Sequence, residues 1–294
     1  MSTYSIKDLE RFTGIKAHTI RIWEKRYGIV DPSRTESNIR WYNDEDLKKL
    51  LNVSILNRHG YKISRIASLT RKQINQKIME VVKPESDYLS QIESLVVSMI
   101  DLNEDGFNRI LNQSINKIGF EETVYYVVYP FFEKIGLLWQ TGTINPAQEH
   151  FISNLIRMKL CVAIESLPAV TNPKAKKMVL FLPKWELHEI GLLTYYYIAK
   201  KAGIKVFYLG QIVPFQDLVT VGQTVEADIL GTYFVSAVSK EEIQDYLNNL
   251  SAKFPKQHIV VSGIQAANID FQLSDYTKLL SSAHDFKAFI NTVA

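Results

Sequence analysis

Beyond residue 177 the sequence alternates short apolar runs with amphipathic stretches, and no other feature restricts its folding options as much. The runs MVLFLP, KVFYLG, DILGTYFV and HIVVSG have strand length and are apolar at most positions. A strand buried on both faces reads that way, whereas a half-exposed one alternates apolar with polar. Between the runs, helical patterns are predicted over 189–202, about 215–223 and 239–250, followed by a weaker strand and helix. Strand and helix in repetition predict a parallel sheet with helices on both faces: a Rossmann-like, flavodoxin-like α/β domain over 178–294.

Upstream the period changes. Four segments, SDYLSQIESLVVSMI, EDGFNRILNQSINKIG, FEETVYYVVYPFFEKIGLLWQTG and NPAQEHFISNLIRMKLCVAIESL, repeat apolar residues three and four apart. One buried helix face requires that spacing, so a four-helix bundle is predicted over 77–167. Pro130 interrupts the third pattern and predicts a kink or break there. The stretch PAVTNPKAKK (168–177) has two prolines and a basic cluster and reads as a linker. The chain is therefore expected to be multidomain.

Residues 1–75 form a third zone, with 15 Lys and Arg against 8 Asp and Glu, while the remainder has 19 against 23. A basic module on a mildly acidic body suggests a polyanionic partner. Ser5 with Asp8 makes a loose capping box, Thr13-Gly14 a turn, and a second helix opens near Lys16. This is helix-turn-helix spacing, with His18, Thr19, Arg21, Lys25 and Arg26 on the second helix. The segments IRIWEKRYGIVDPSRT, IRWYNDEDLKKL and HGYKISRI, in that order, make residues 1–75 resemble the DNA-binding domain of MerR-family transcription regulators. The resemblance implies a winged, all-α helix-turn-helix domain on double-stranded promoter DNA. It implies contacts from His18, Thr19, Arg21 and Arg26 on the helix, and from Arg34, Arg40 and Tyr42 around the wing. Classical members dimerise through one long helix. Here TRKQINQKIMEVVKPESDYL is broken early by proline, so a homo-oligomer, dimer or tetramer, is expected to form through another region.

At the end of the first predicted strand stands KWELHEIG, with Glu186, His188 and Gly191. A neutral imidazole is a transition-metal ligand, and a carboxylate on its other nitrogen fixes the tautomer. A lone loop histidine is also compatible with a purely structural role. Gly191 is followed by 40 residues and then Thr232-Tyr233-Phe234 at the end of the third strand, and after 27 more come Ser262-Gly263 at the end of the fourth. This order resembles the cobalamin-binding domain shared by methionine synthase and the acyl-mutases, with its D/E-x-H-x-x-G, S-x-L and G-G motifs. The resemblance implies that His188 ligates cobalt with Glu186 behind it. It further implies that a displaced nucleotide tail threads between sheet and helix past Gly191, Thr232, Phe234, Ser262 and Gly263. The departures are T-x-F for S-x-L and Ser-Gly for G-G, which place bulk where the tail would pass.

Trp139, followed after nine residues by Glu149-His150, resembles the helical domain of the CarH and LitR group, cobalamin-dependent light-sensing repressors with the same domain order. It implies Trp139 over the upper corrin face, Glu149 and His150 near an adenosyl group, and adenosylcobalamin as the cofactor. Read alone, Trp139 is equally a bundle-core tryptophan, and Glu149-His150 a helix-start carboxylate with a surface imidazole. In that group a histidine follows the tryptophan, and here position 140 is Gln, so the resemblance does not extend to a light-generated state held by two histidines.

The function expected is a repressor-type transcription regulator, not an enzyme, whose oligomeric state and DNA binding are controlled by a cobalamin and, in the photoreceptor version, by light. The alternative is a regulator of the same fold that has lost the cofactor and answers to a protein or another ligand. One cysteine, Cys161, excludes an internal disulfide framework. No apolar run approaches the roughly 18 residues of a membrane span, and the N-terminus lacks a signal-peptide pattern, so a cytoplasmic location with no membrane partner is expected.

Overall fold

The computed structural model describes residues 3–35, 38–83, 86–140, 145–267 and 272–294. They form two compact units, Met1–Leu155 and Ile156–Ala294.

The first unit opens with α1 (Ile6–Thr13) and α2 (Ala17–Tyr27). Ser5 and Asp8 form the reciprocal capping box that the sequence predicts, and Gly14, at φ 71°, supplies the left-handed turn between the helices. A two-stranded wing follows, β1 (Ser33–Arg34) antiparallel to β2 (Arg40–Trp41), with Arg34 opposite Arg40. Next come α3 (Asp44–Arg58), α4 (Ile63–Ile66) and α5 (Arg71–Val81). Both α3 and α5 start on capping boxes, Asn43 with Asp46 and Thr70 with Gln73. Leu9, Phe12, Ile20, Leu47, Leu50 and Leu51 form the buried centre of this module.

The helical module continues with α6 (Tyr88–Ile100), α7 (Glu104–Ile118), α8 (Phe120–Thr123), a π-helical turn (Val124–Val128), α9 (Tyr129–Gln140) and α10 (Pro146–Ser166). The helix does not break at Pro130. The preceding turn widens, and the Tyr129 amide donates to the Val124 carbonyl five residues back. A wider turn relieves the clash between a proline ring and the carbonyl four residues earlier and lets the helix continue. Pro146 occupies the first turn of α10, where a missing N–H costs nothing. Cys161 on α10 is half-buried. The boundary between the two units falls inside this helix.

The second unit holds β3 (Lys177–Pro183), α11 (Ile190–Lys201), β4 (Lys205–Val213), α12 (Phe215–Thr224), β5 (Ile229–Tyr233), α13 (Lys240–Lys253), β6 (His258–Ser262), α14 (Ile264–Ala267), β7 (Thr277–Leu280) and α15 (Ala283–Val293). The five strands run parallel in the order β4-β3-β5-β6-β7. This is the flavodoxin-like order, and its switch point lies between β3 and β5, where ligands of open α/β sheets bind beyond the carboxyl ends of the strands. Period-two alternation divides the strand residues between two layers. Val179, Phe181, Leu230, Ile259 and Val261 pack under α12 and α13. Gly231 turns to the other layer, where a Cβ would meet Met178 and Leu180 at 2.6 Å. Among the described residues no helix is long and apolar enough to cross a membrane.

Candidate functional site

The loop from Lys184 to Glu189 leaves β3 at the switch point and is held by one buried acid. Glu186 is 0% exposed. Its Oε1 accepts from the amides of Leu187 and His188, each at 2.9 Å, and from Ser236 Oγ at 2.9 Å. Its Oε2 accepts from the amides of Val235 and Ser236 at 2.7 and 2.8 Å. His188 Nδ1 lies 2.6 Å from Oε1. Burial pushes the Glu186 carboxyl up, but the bonds from His188, Ser236 and Val235 outweigh it and bring it down to about 2. The acid is therefore ionised near neutrality and can only accept. The proton of the neutral imidazole then sits on Nδ1, and Nε2 carries the lone pair. The His188 side chain is 53% exposed, so the oriented ring meets solvent.

Other contacts brace the same loop. Gln211 Nε2 donates to the Leu187 carbonyl. Glu189 accepts from Arg157 Nε on α10 and from the Tyr208 hydroxyl at 2.9 Å, with Tyr196 stacked on the Tyr208 ring. Trp185 packs edge-on to Tyr246 at 4.9 Å. Leu187 and Ile212 are exposed by 56% and 53%, and Ile212 holds a left-handed φ of 58°, a strained setting for a β-branched residue. None of Ser236, Gln211, Arg157 or Tyr208 was legible as a site residue. The Asp/Glu-x-His spacing is local, whereas these partners arrive from other elements.

The expected tail-lining residues separate onto two faces. A Cβ at Gly191 would lie 2.6 Å from the ring of Tyr233, so Gly191 faces Tyr233. Thr232 and Phe234 flank Tyr233 and take the opposite side of the sheet. Phe234 is buried in the layer of α12 and α13, against Trp185 and Tyr246. The Thr232 hydroxyl is buried there too, without a hydrogen-bond partner among the described residues. Placing Thr232 and Phe234 beside Gly191 is thus corrected by strand parity: in β5 the residue on that face is Tyr233. Ser262 lies in β6 two positions after Val260, on the face away from Ile259 and Val261, and its hydroxyl donates to the Leu280 carbonyl at 2.6 Å. Gly263 has φ 100°, and a Cβ there would come within 2.2 Å of the Phe234 carbonyl oxygen, so only glycine fits.

In the first unit, Glu149 lies on the opening turns of α10 and accepts from Ser153 Oγ at 3.2 Å, while His150 is exposed and its carbonyl accepts from Asn154. The side chains of Trp139 and Gln140 lie outside the described residues.

On the basic module, His18, Arg21, Lys25 and Arg26 are exposed along α2, and Thr19 is half-buried. Arg34 is exposed on the wing, with Nη1 donating to Asn38. Arg40 is committed to Glu24 on α2, its Nε donating to Oε1 and Oε2 at 3.2 and 3.0 Å. This pair raises the Arg40 guanidinium above its ordinary value. Arg40 therefore ties wing to helix. Tyr42 is 1% exposed, exchanges backbone bonds with Tyr4, and is a core residue rather than a DNA contact. It alternates with exposed Trp41, so the wing's pleat turns it inward.

Residues 4–73 match the MerR HTH family regulatory protein family, and residues 91–163 match a B12 binding domain family. The chain is thus a MerR-type regulatory protein with a B12-binding-type domain. It is homologous to the transcriptional repressors CarH and CarA of Myxococcus xanthus. It is 27% identical to CarH over 262 residues, 86% of each chain, and 28% identical to CarA over 270 residues, 90% of this chain and 88% of CarA. A monomethylamine corrinoid protein from Methanosarcina barkeri shares the fold, with TM-score 0.53 at 12% identity, over 74% of this chain and 99% of that one.

Proposed function

We propose that the chain is a DNA-binding repressor whose promoter affinity and oligomeric state are controlled by a bound corrinoid of the cobalamin type, in its adenosyl form, ligated by His188. The observation that carries this reading is the Glu186–His188 pair: an ionised, fully buried carboxylate holding a half-exposed imidazole at the sheet's switch point. The donor set suits such a group. One imidazole, with Nδ1 held by Glu186, would supply one nitrogen to the metal. That suits a metal that arrives already held by a macrocycle. When bound, the corrinoid would supply a cobalt centre for the His188 imidazole to ligate. Glu186 keeps the Nδ1 proton in place and fixes the ring plane, Gln211 and Glu189 brace the loop on either side of His188, and exposed Leu187 and Ile212 offer apolar surface next to it. Arg21, Lys25 and Arg26 on α2, with Arg34 on the wing, neutralise phosphate.

The full-length protein should retain adenosylcobalamin through gel filtration in the dark, and His188→Ala should lose retention and the histidine-on absorbance. An unchanged His188→Ala spectrum refutes the ligand assignment. Promoter affinity should fall steeply with salt, and Arg21→Ala should reduce the slope of log K against log salt by about 1. With Gln140 in place of histidine, illumination is not expected to produce a state held by two histidines. A second reading, the same fold without the cofactor, is favoured by the Tyr233 ring lying against Gly191. Retention of no corrinoid would select it and leave the DNA assignment intact.

A further inference from the structure

Gly191 opens α11 directly after the His188 loop, and its missing side chain makes room on the layer between the sheet and α11. That room is filled. The Tyr233 ring sits where a Gly191 Cβ would be, 2.6 Å from its ring carbons. Tyr233 meets Tyr195 of α11 edge-on at 5.7 Å, and Tyr195 stacks on Phe286 of α15 at 3.7 Å with the planes 4° apart. Tyr195 and Phe286 are both 0% exposed. Ser262, on the same layer, is tied across to β7 through Leu280. The result is a continuous aromatic wedge running inward from the imidazole loop, with its inner two rings in fixed contact and its outer ring, Tyr233, half-buried at the mouth.

A complete cobalamin carries a nucleotide on the same axial side of its ring that His188 would occupy. Once imidazole takes the metal, that nucleotide must be housed next to the imidazole. Inserting it beside Gly191 requires Tyr233 to leave, which uncouples it from Tyr195 and overpacks a filled layer. Overpacking of this kind is expected to lower affinity by roughly tenfold or more.

We infer that Tyr233 is a specificity-determining residue that closes the nucleotide slot, so that the chain prefers corrinoids without a lower nucleotide over complete cobalamins. This rests on the reading that His188 is the metal's axial ligand. It extends that reading by naming the ligand class the site selects.

The test compares dark equilibrium binding of adenosylcobinamide and adenosylcobalamin, which share ring and upper ligand and differ in the nucleotide, to the full-length protein. Retained corrin absorbance and its titration give the two Kd values. Adenosylcobinamide should bind at least about tenfold tighter to the native chain. Tyr233→Phe should keep that order, because the ring stays. Tyr233→Ser should abolish that preference, cobalamin gaining about tenfold or more relative to cobinamide. Tighter cobalamin binding by the native chain overturns the inference even if Tyr233→Ser does not fold. An unchanged ratio in a folded Tyr233→Ser also overturns it, while leaving His188 ligation standing. Retention of neither corrinoid overturns both this inference and the cofactor reading.

Discussion

Glu93 and Glu186 are the most deeply buried acids among the described residues, at 1% and 0% exposure, and the molecule neutralises them in opposite ways. Glu93, in the middle of α6, is met by cations. Arg58 from the end of α3 donates through Nη1 and Nη2 at 3.2 and 2.5 Å, Lys134 of α9 lies at 3.6 Å, and Ser54 donates at 3.1 Å. The ends of α6 are tied as well. Asp87 at its N-terminus takes His59 at 2.6 Å, and Asp101 at its C-terminus takes Lys48 and, at 2.6 Å, Arg71. Glu186 instead takes amides, a hydroxyl and one imidazole, with no Lys or Arg among its bonded partners in the described residues. A carboxylate saturated by full charges welds helices together. One saturated by N–H dipoles keeps its negative potential for the imidazole, which is the arrangement a ligand-binding histidine needs. The first arrangement makes the basic module and α6 a single packed body, and the second holds an oriented, half-exposed imidazole.

Glu93→Ala gives the largest expected effect. Removing one partner of a buried pair leaves Arg58 and Lys134 uncompensated and should destabilise the first unit by about 3–5 kcal/mol in chemical denaturation. Equal loss of His188-loop protection in the same variant would break the contrast between the two regions. Glu186→Gln comes next. The amide's NH2 group would face the Val235 and Ser236 donors, so the loop loses its orientation. Corrinoid affinity should fall about 10–100-fold, and hydrogen exchange at the Val235 and Ser236 amides should rise.

The acid limb sharpens the comparison further. The Glu186 carboxyl, at about 2, is lowered from an ordinary value of 4.5. Its contribution is therefore fully present above that ordinary value and is lost as pH falls from 4.5 towards 2. Protection of the Val235 and Ser236 amides should drop over that window in the native chain and stay flat in Glu186→Gln. The smallest effect is expected for Lys134→Met. Burial pulls the Lys134 ammonium below its ordinary value, against the opposing pull of Glu93. Arg58 still balances Glu93 when the lysine is replaced by an apolar side chain of similar length, so stability should change by less than about 1 kcal/mol. A loss as large as that of Glu93→Ala would show that the lysine, not the arginine, neutralises the acid.

Much of this was legible locally. The capping box of Ser5 and Asp8, the turn at Gly14 and the strand–helix alternation beyond residue 177 depend on neighbours within a few positions, and each appears as read. Glu186 and His188 are two residues apart, so their pairing follows from one loop. Tyr42 and Phe234 misled for a shared reason: a motif names residue types, but the pleat decides which neighbour faces the ligand side, and a shift of one position exchanges the faces. At Pro130 the residue pointed to a kink or break, and the chain forms a π turn ahead of it and continues as helix.

The sequence by itself determined the elements, their order and the chemistry of the His188 loop, because helix and strand periods, caps and short spacings act over a few residues. Tertiary structure alone decided that Val235 and Ser236 saturate Glu186 from some 50 positions away, that Arg58 and Lys134 converge on Glu93, and that Tyr233 rather than Thr232 stands against Gly191. Those outcomes depend on which segments become neighbours and on which face each strand turns to the core, and both are settled only when whole layers pack at once.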